Sequence, residues 1–129
     1  MVGIVVVSHS AKLAEATCEI TQAMARNVKI IPAGGMDNGL FGTSQKKIAK
    51  AIDEAYSEDG VVVICDLGSS VNATRELLET KAYKNKLIRL ADCPIVEGAI
   101  AAGVTASCAL PIEEVLKQAA ISKNTTNLM

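Results

Sequence analysis

The chain has one histidine, His9, which stands between Ser8 and Ser10 just after an apolar run from Val2 to Val7. A neutral imidazole is a competent nucleophile near pH 7, because its unperturbed pKa is about 6.5. One ring nitrogen can take a phosphoryl group if the other holds a proton, and a nearby carboxylate would fix that tautomer. Asp66 follows a second wholly apolar run, Val61 to Cys65, and so occupies the same kind of position. Position alone leaves two readings of His9 open: a phosphoryl-carrying nucleophile, or a structural hydrogen bond ahead of a helix. Asp66 is read first as the group that orients His9 and second as an N-cap. The third reading, a magnesium-dependent phosphoacceptor, is weakened because such sites carry further acids where this chain has Ser8-His9-Ser10.

Two glycine- and hydroxyl-rich segments could hold anionic oxygens. Gly34-Gly35 opens one loop, which ends in Gly42-Thr43-Ser44, and Gly68-Ser69-Ser70 forms the other. Backbone N–H groups and hydroxyls at helix N-termini favour anions, so Gly42, Thr43, Ser44, Gly68, Ser69 and Ser70 are candidate phosphoryl-binding residues. Each motif is weak alone, since Ser and Thr cap most helices. The chain lacks both Gly-x-x-x-x-Gly-Lys-Ser/Thr and Gly-x-Gly-x-x-Gly, so strong nucleotide binding by this chain is not expected. Lys46 and Arg75 are read as solvated charges.

The elements that must position these residues alternate strand and helix. Strands are expected at Val2–Val7, at Val28–Ile31 (stopped by Pro32), at Val61–Cys65 and at Leu87–Ala91. A helix of about 16 residues should follow Ser10, with Leu13, Ile20 and Met24 facing the sheet beside Ala16 and Ala23. Thr43 or Ser44 should cap a helix that buries Ile48, Ile52 and Tyr56, and Asp59-Gly60 marks a turn. A helix carrying Val71, Leu77 and Leu78 follows Asp66. Pro94 suits the first turn of another, and a last helix starts near Pro111. Residues 95–106 contain one charge, Glu97, and their small residues Gly98, Ala102 and Gly103 allow either a subunit interface or a helix sunk against its own sheet. The polar tail from Ser122 is expected to fray.

This pattern implies one α/β domain over residues 1–129, an open doubly wound parallel sheet with helices on both faces. In strand order 2-1-3-4, the point where strand order reverses lies between the first and third strands, and ligands gather there at the carboxyl ends. His9 and Asp66 are the residues just past those two ends.

Composition limits the alternatives. Half of the residues are hydrophobic, while 13 basic and 14 acidic residues nearly cancel. Without a basic run or an aromatic platform, nucleic-acid binding is not expected. No apolar stretch reaches membrane-spanning length, and the N-terminus lacks signal-peptide features. Cys18, Cys65, Cys93 and Cys108 form no Cys-x-x-Cys pair, so they read as reduced core residues of a cytoplasmic protein with no metal site.

Val5-Val6-Val7-Ser8-His9-Ser10 with Leu13-Ala14-Glu15 resembles the opening of the DhaM-type phosphotransferase subunits of dihydroxyacetone kinase. Gly42-Thr43-Ser44, Asp66-Leu67-Gly68-Ser69-Ser70 and Pro94-Ile95-Val96-Glu97-Gly98-Ala99 match further blocks of that family in order. Its broader relatives are mannose-type IIA domains of the bacterial sugar phosphotransferase system. The resemblance implies that His9 takes phosphate from the phosphocarrier HPr and passes it to ADP held on a partner kinase subunit. It also implies a homodimer, no cofactor on this chain itself, and a single-domain form that depends on free HPr. Leu40, Phe41 and Leu67 are candidates for a partly apolar surface around His9. Two other readings stay open: a mannose-type sugar IIA domain serving a IIB partner, and a regulatory phosphohistidine module. The Asp-Leu-Gly-Ser-Ser segment argues against the first, because sugar domains tend to carry a Trp-Gly-Gly-Ser-Pro type of loop.

Overall fold

The computed structural model describes residues 1–124. Four apolar runs become parallel strands: β1 (Gly3–Ser8), β2 (Ile30–Gly34), β3 (Val61–Cys65) and β4 (Ile88–Leu90). They form one sheet in the order β2-β1-β3-β4, the order taken above to locate the switch point. Val5 lies beside Ile31 of β2 and Val63 of β3, and Val63 lies beside Leu90 of β4. β1 and β3 are buried over their whole length, which is why both read as unbroken apolar runs.

Among the described residues, five α-helices cover the sheet: α1 (Ala11–Met24), α2 (Gln45–Ala55), α3 (Gly68–Leu78), α4 (Ile95–Ser107) and α5 (Ile112–Ile121). Val2, Ile4, Val6, Val62 and Ile64 pack with α1, α4 and α5. Val5, Val7, Val61 and Val63 pack with α2 and with Leu77 of α3. Alternate side chains of each strand thus feed two separate cores, as the two-residue period of a strand requires.

Several local expectations change. Pro32 does not stop β2 but lies inside it. Lys29 accepts from Ile4 and Gly35 donates to Ser8, so odd-numbered residues of this segment face β1. Pro32 therefore turns its donorless nitrogen to the free edge, where a strand tolerates it. In α1 the expected core face is reversed: Ala14, Thr17, Cys18 and Thr21 are buried, while Leu13, Ile20 and Met24 are exposed with Ala16 and Ala23 beside them. In α2, Ile48 and Ile52 are fully buried and Tyr56 half-buried, as expected. In α4, Gly98 packs against Cys93 and Gly103 against Thr21, so these small residues serve packing within the chain. Cys18 and Cys65 are buried and Cys93 half-buried, but Cys108 is exposed at the end of α4. Of the expected frayed tail, Ser122–Asn124 form a single 3-10 turn with Ser122 buried, and the rest lies outside the described residues.

Candidate active site

The carboxyl ends of β1 and β3 are adjacent, so the chain segments that leave them are neighbours. β1 ends at Ser8 and turns through His9 into α1, which Ser10 caps by accepting from Leu13 N. β3 ends at Cys65 and turns through Asp66 and Leu67 into α3. Partners 57 residues apart in sequence meet here. Asp66 Oδ1 lies 3.1 Å from His9 Nδ1, and Oδ2 accepts from the His9 backbone N–H at 3.0 Å.

Asp66 is saturated with donors. Oδ1 also accepts from Leu67 N (2.8 Å) and Ser70 Oγ (2.8 Å), and Oδ2 from Ser8 Oγ (2.9 Å). Burial alone would raise the pKa of this carboxyl. The hydrogen bonds from the His9 backbone, Ser70, Ser8 and the His9 ring outweigh burial and hold it at about 2. Asp66 is therefore an ionised acceptor near neutral pH, and Nδ1 of His9 must supply the proton in their bond. Nε2 keeps its lone pair and lies 2.5 Å from Ser69 Oγ. Ser70 Oγ is also 3.1 Å from Nδ1, which locks the ring from a second side.

The N-cap position of α3 is Leu67, which makes no side-chain capping bond. Asp66 lies one residue earlier and accepts from Leu67 N rather than from inside the helix, so it does not cap α3. Helix α3 thus starts with open N–H groups beside Nε2, an arrangement that favours an anion. Gly68 and Ser69 stand at that exposed start, and Ser70 is buried beneath them.

The other candidate loop behaves differently. Gly42 N donates to the His9 carbonyl at 3.0 Å, which ties this loop to the site. Gly42 has φ +142°, and a side chain there would run into Met36. Ser44 caps α2 by accepting from Lys47 N and donates to Asp37 Oδ1 at 3.0 Å, so its hydroxyl is committed away from His9. Thr43 is half-buried between them. Leu40, Phe41 and Leu67 are all well exposed, on the two segments that flank His9. Lys46 and Arg75 are exposed too. A cavity of about 290 Å³ lies along β2, lined by residues such as Glu15, Pro32, Lys47 and Glu54, but His9 does not line it.

Ser8 was not singled out from sequence, yet it is fully buried, and its hydroxyl both holds Asp66 and accepts from Ser10 N at 3.0 Å. A polar residue that closes an otherwise apolar buried strand must find partners, and that was the available signal. Among the described residues, no group of three or more His, Cys, Asp or Glu could hold a metal ion, and no helix is long and apolar enough to cross a membrane.

An open parallel sheet with a carboxylate-held histidine at its switch point defines a class, and comparison with known proteins names it. Residues 3–116 match the EIIA-man family, the PTS system fructose IIA component. The chain is 35% identical over 122 residues to the phosphoryl donor subunit DhaM of a PEP-dependent dihydroxyacetone kinase 2 from Listeria innocua, covering 92% of this chain and 95% of that one. It is 30% identical over 116 residues to the phosphotransferase subunit DhaM of Lactococcus lactis, covering 90% and 91%. It is also 35% identical over 121 residues to DhaM of Escherichia coli, but spans only 26% of that longer protein. The crystal structure of the unknown-function protein EF1359 superposes with a TM-score of 0.80 at 28% identity, over 93% of this chain and 94% of that one. A mannose/sorbose-specific IIA subunit from Enterococcus faecalis shares the fold, with a TM-score of 0.61 at 21% identity over 99% and 96% of the two chains. The chain belongs to the EIIA-man family and, within it, to the DhaM type.

Proposed function

We propose that this chain is the phosphoryl donor subunit of a phosphoenolpyruvate-dependent dihydroxyacetone kinase, with His9 as its phosphohistidine. The observation that carries this reading is the division of the imidazole: Nδ1 is bound to Asp66 Oδ1 at 3.1 Å, while Nε2 faces outward to the uncapped start of α3. The donor is HPr carrying a phosphohistidine. The Nε2 lone pair forms a bond to phosphorus as the bond from phosphorus to the donor nitrogen breaks, and HPr leaves with its electron pair and a neutral imidazole. The positive charge that develops on the His9 ring is stabilised by Asp66, which stays ionised. Ser69 Oγ, now a donor to Nε2, turns to an oxygen of the incoming group, joined by the N–H groups at the head of α3. In the second transfer a β-phosphate oxygen of ADP, held on the partner kinase subunit, attacks phosphorus, and the bond to Nε2 breaks to give ATP.

The open setting of His9 supports alternate docking of two proteins, with Leu40, Phe41 and Leu67 as apolar contacts. In this reading the nucleotide belongs to the partner, the chain itself carries no cofactor, and the protein works in the cytoplasm.

The test uses labelled phosphoenolpyruvate and the general phosphotransferase proteins. The expected result is acid-labile, base-stable label on His9 that chases onto ADP only when the ADP-bearing subunit is added. Equal labelling of His9→Ala would end the proposal. Transfer to a sugar-transporting IIB protein in place of ADP would redirect it to sugar uptake.

A further inference from the structure

β1 closes on a hydroxyl where its pattern calls for a hydrocarbon. Val2, Ile4 and Val6 point into the core beneath α1, α4 and α5, and Ser8 is next in that two-residue step. Ser8 is as fully buried as Ile4 and Val6. An alanine or valine would fill such a place without a polar atom to satisfy. The Ser8 hydroxyl instead makes two bonds: Ser10 N donates to Oγ at 3.0 Å, and Oγ donates to Asp66 Oδ2 at 2.9 Å. The first bond directs the second. A backbone N–H only donates, so Oγ accepts from Ser10 and its single hydrogen is left for the carboxylate.

The groups that hold Asp66 fall into two sets. Leu67 N and Ser70 Oγ belong to the same turn and helix start as Asp66 and move with it. Ser8 Oγ and His9 N reach across from β1, and both meet Oδ2. A carboxylate turns easily about its last bond, because that torsion is broad and twofold. The angle at which Oδ1 meets the His9 ring therefore depends on what holds Oδ2. The anchor itself is firm, since Gly35 N donates to the Ser8 carbonyl and Gly34 of β2 lies beside it.

We propose that Ser8 is a positioning residue for phosphoryl transfer, which acts through Asp66 to keep Nε2 of His9 the free nucleophile. Donation runs from Ser10 N–H to the Ser8 hydroxyl and on to the Asp66 carboxylate, which receives the His9 Nδ1 proton from the other side. Bonds linked in this way polarise one another. Burial opposes the charge of Asp66, and the Ser8 hydroxyl is among the donors that outweigh it. When positive charge develops on the ring, the carboxylate already lies in place and does not reorganise. Without the hydroxyl, Asp66 pivots and its hold on Nδ1–H loosens. The ring then exchanges to the tautomer with its proton on Nε2, which has no lone pair there to offer phosphorus.

Ser8 has this role only if His9 is the phosphohistidine, as proposed above, and the two readings are tested apart. His9 is the only histidine of the chain, so the imidazole signals in a long-range proton–nitrogen-15 NMR spectrum of the untagged, unphosphorylated protein are its own. At about pH 8.5, some two units above the ordinary imidazole pKa, the wild type should show the proton on Nδ1. Ser8→Ala should show a mixture of tautomers. It should also take label from saturating phospho-HPr about tenfold more slowly, the loss of one hydrogen bond to a charged group, with the half-saturating HPr concentration unchanged. Ser8→Thr, which keeps the hydroxyl, should restore both. Thr21→Ala removes a buried hydroxyl farther down α1, bonded at 2.8 Å to the Thr17 carbonyl, and should lower stability without moving either signal. If Ser8→Ala does not fold, Ser8→Cys, a weaker donor of similar size, is read in the same way. A folded Ser8→Ala with the wild-type tautomer and rate, a folded Ser8→Thr no better than Ser8→Ala, or a Thr21→Ala that shifts the tautomer as much would each overturn the assignment. A wild type that holds its proton on Nδ1 yet takes no label would instead sink the transfer reading, and the tautomer series would still decide whether Ser8 positions Asp66.

Discussion

The two loops that leave the carboxyl edge contain nearly the same residue types and do different work. After β3, Asp66-Leu67-Gly68-Ser69-Ser70 starts a helix without a side-chain cap and spends its hydroxyls on His9 and Asp66. After β2, Gly42-Thr43-Ser44 starts a helix capped in the ordinary way, with the Ser44 hydroxyl held between Lys47 N and Asp37. A serine at a helix start either completes the helix or serves a ligand. The deciding factor is whether the His9 ring stands close enough to claim its hydroxyl. Among the described residues, side-chain hydrogen bonds to His9 come from the β3 loop, while the β2 loop reaches it through the backbone N–H of Gly42.

Substitutions along both loops can break this comparison. His9→Ala should abolish labelling from phosphoenolpyruvate altogether, as read by autoradiography. Asp66→Ala should slow labelling about 10- to 100-fold by freeing the ring and its tautomer, measured by quenched flow. An unchanged rate would make Asp66 purely structural. Ser69→Ala should slow labelling about tenfold through the loss of one donor to the transferred group. Ser44→Ala should cost about 1 kcal/mol in urea unfolding and leave the labelling rate within about twofold, because its hydroxyl serves the α2 cap and Asp37 rather than His9. A large rate loss at Ser44 with little loss at Ser69 would reverse the assignment of the two loops.

Acid stability sharpens the picture further. Asp66 is held at about 2, below the usual aspartate range, so its contribution to stability is fully present above about pH 4 and is lost as the pH falls through about 2. The stability gap between the wild type and Asp66→Asn should therefore be constant from pH 7 to about 4 and shrink below that, in denaturant titrations at each pH. A gap that closed already at neutral pH would show that the network around Asp66 does not hold its charge.

The sheet was legible because β1 and β3 are buried on both faces, and continuous apolar runs between polar turns have few other solutions. The pairing of His9 with Asp66 was legible once the order 2-1-3-4 was taken, because it makes the first and third strands neighbours and sets their carboxyl ends side by side. The inward face of α1 was not. Its apolar stripe Leu13-Ile20-Met24 and its small stripe Ala14-Cys18-Thr21 share the helical period, so periodicity alone does not say which one meets the sheet. The small stripe won because it lets α1 approach the sheet and Gly103 of α4 closely, which left the larger side chains outside.

Residue order along this chain was sufficient for the elements, their parallel arrangement and the two strand-end residues suited to phosphoryl chemistry, because burial and strand sterics act on local pattern. The fates of Ser8, Ser44 and Ser69, and the choice between two stripes of one helix, came only with the packed molecule. A hydroxyl goes to the nearest unpaired partner, and a helix turns inward the face that packs closest, and both are set by neighbours far away in the sequence.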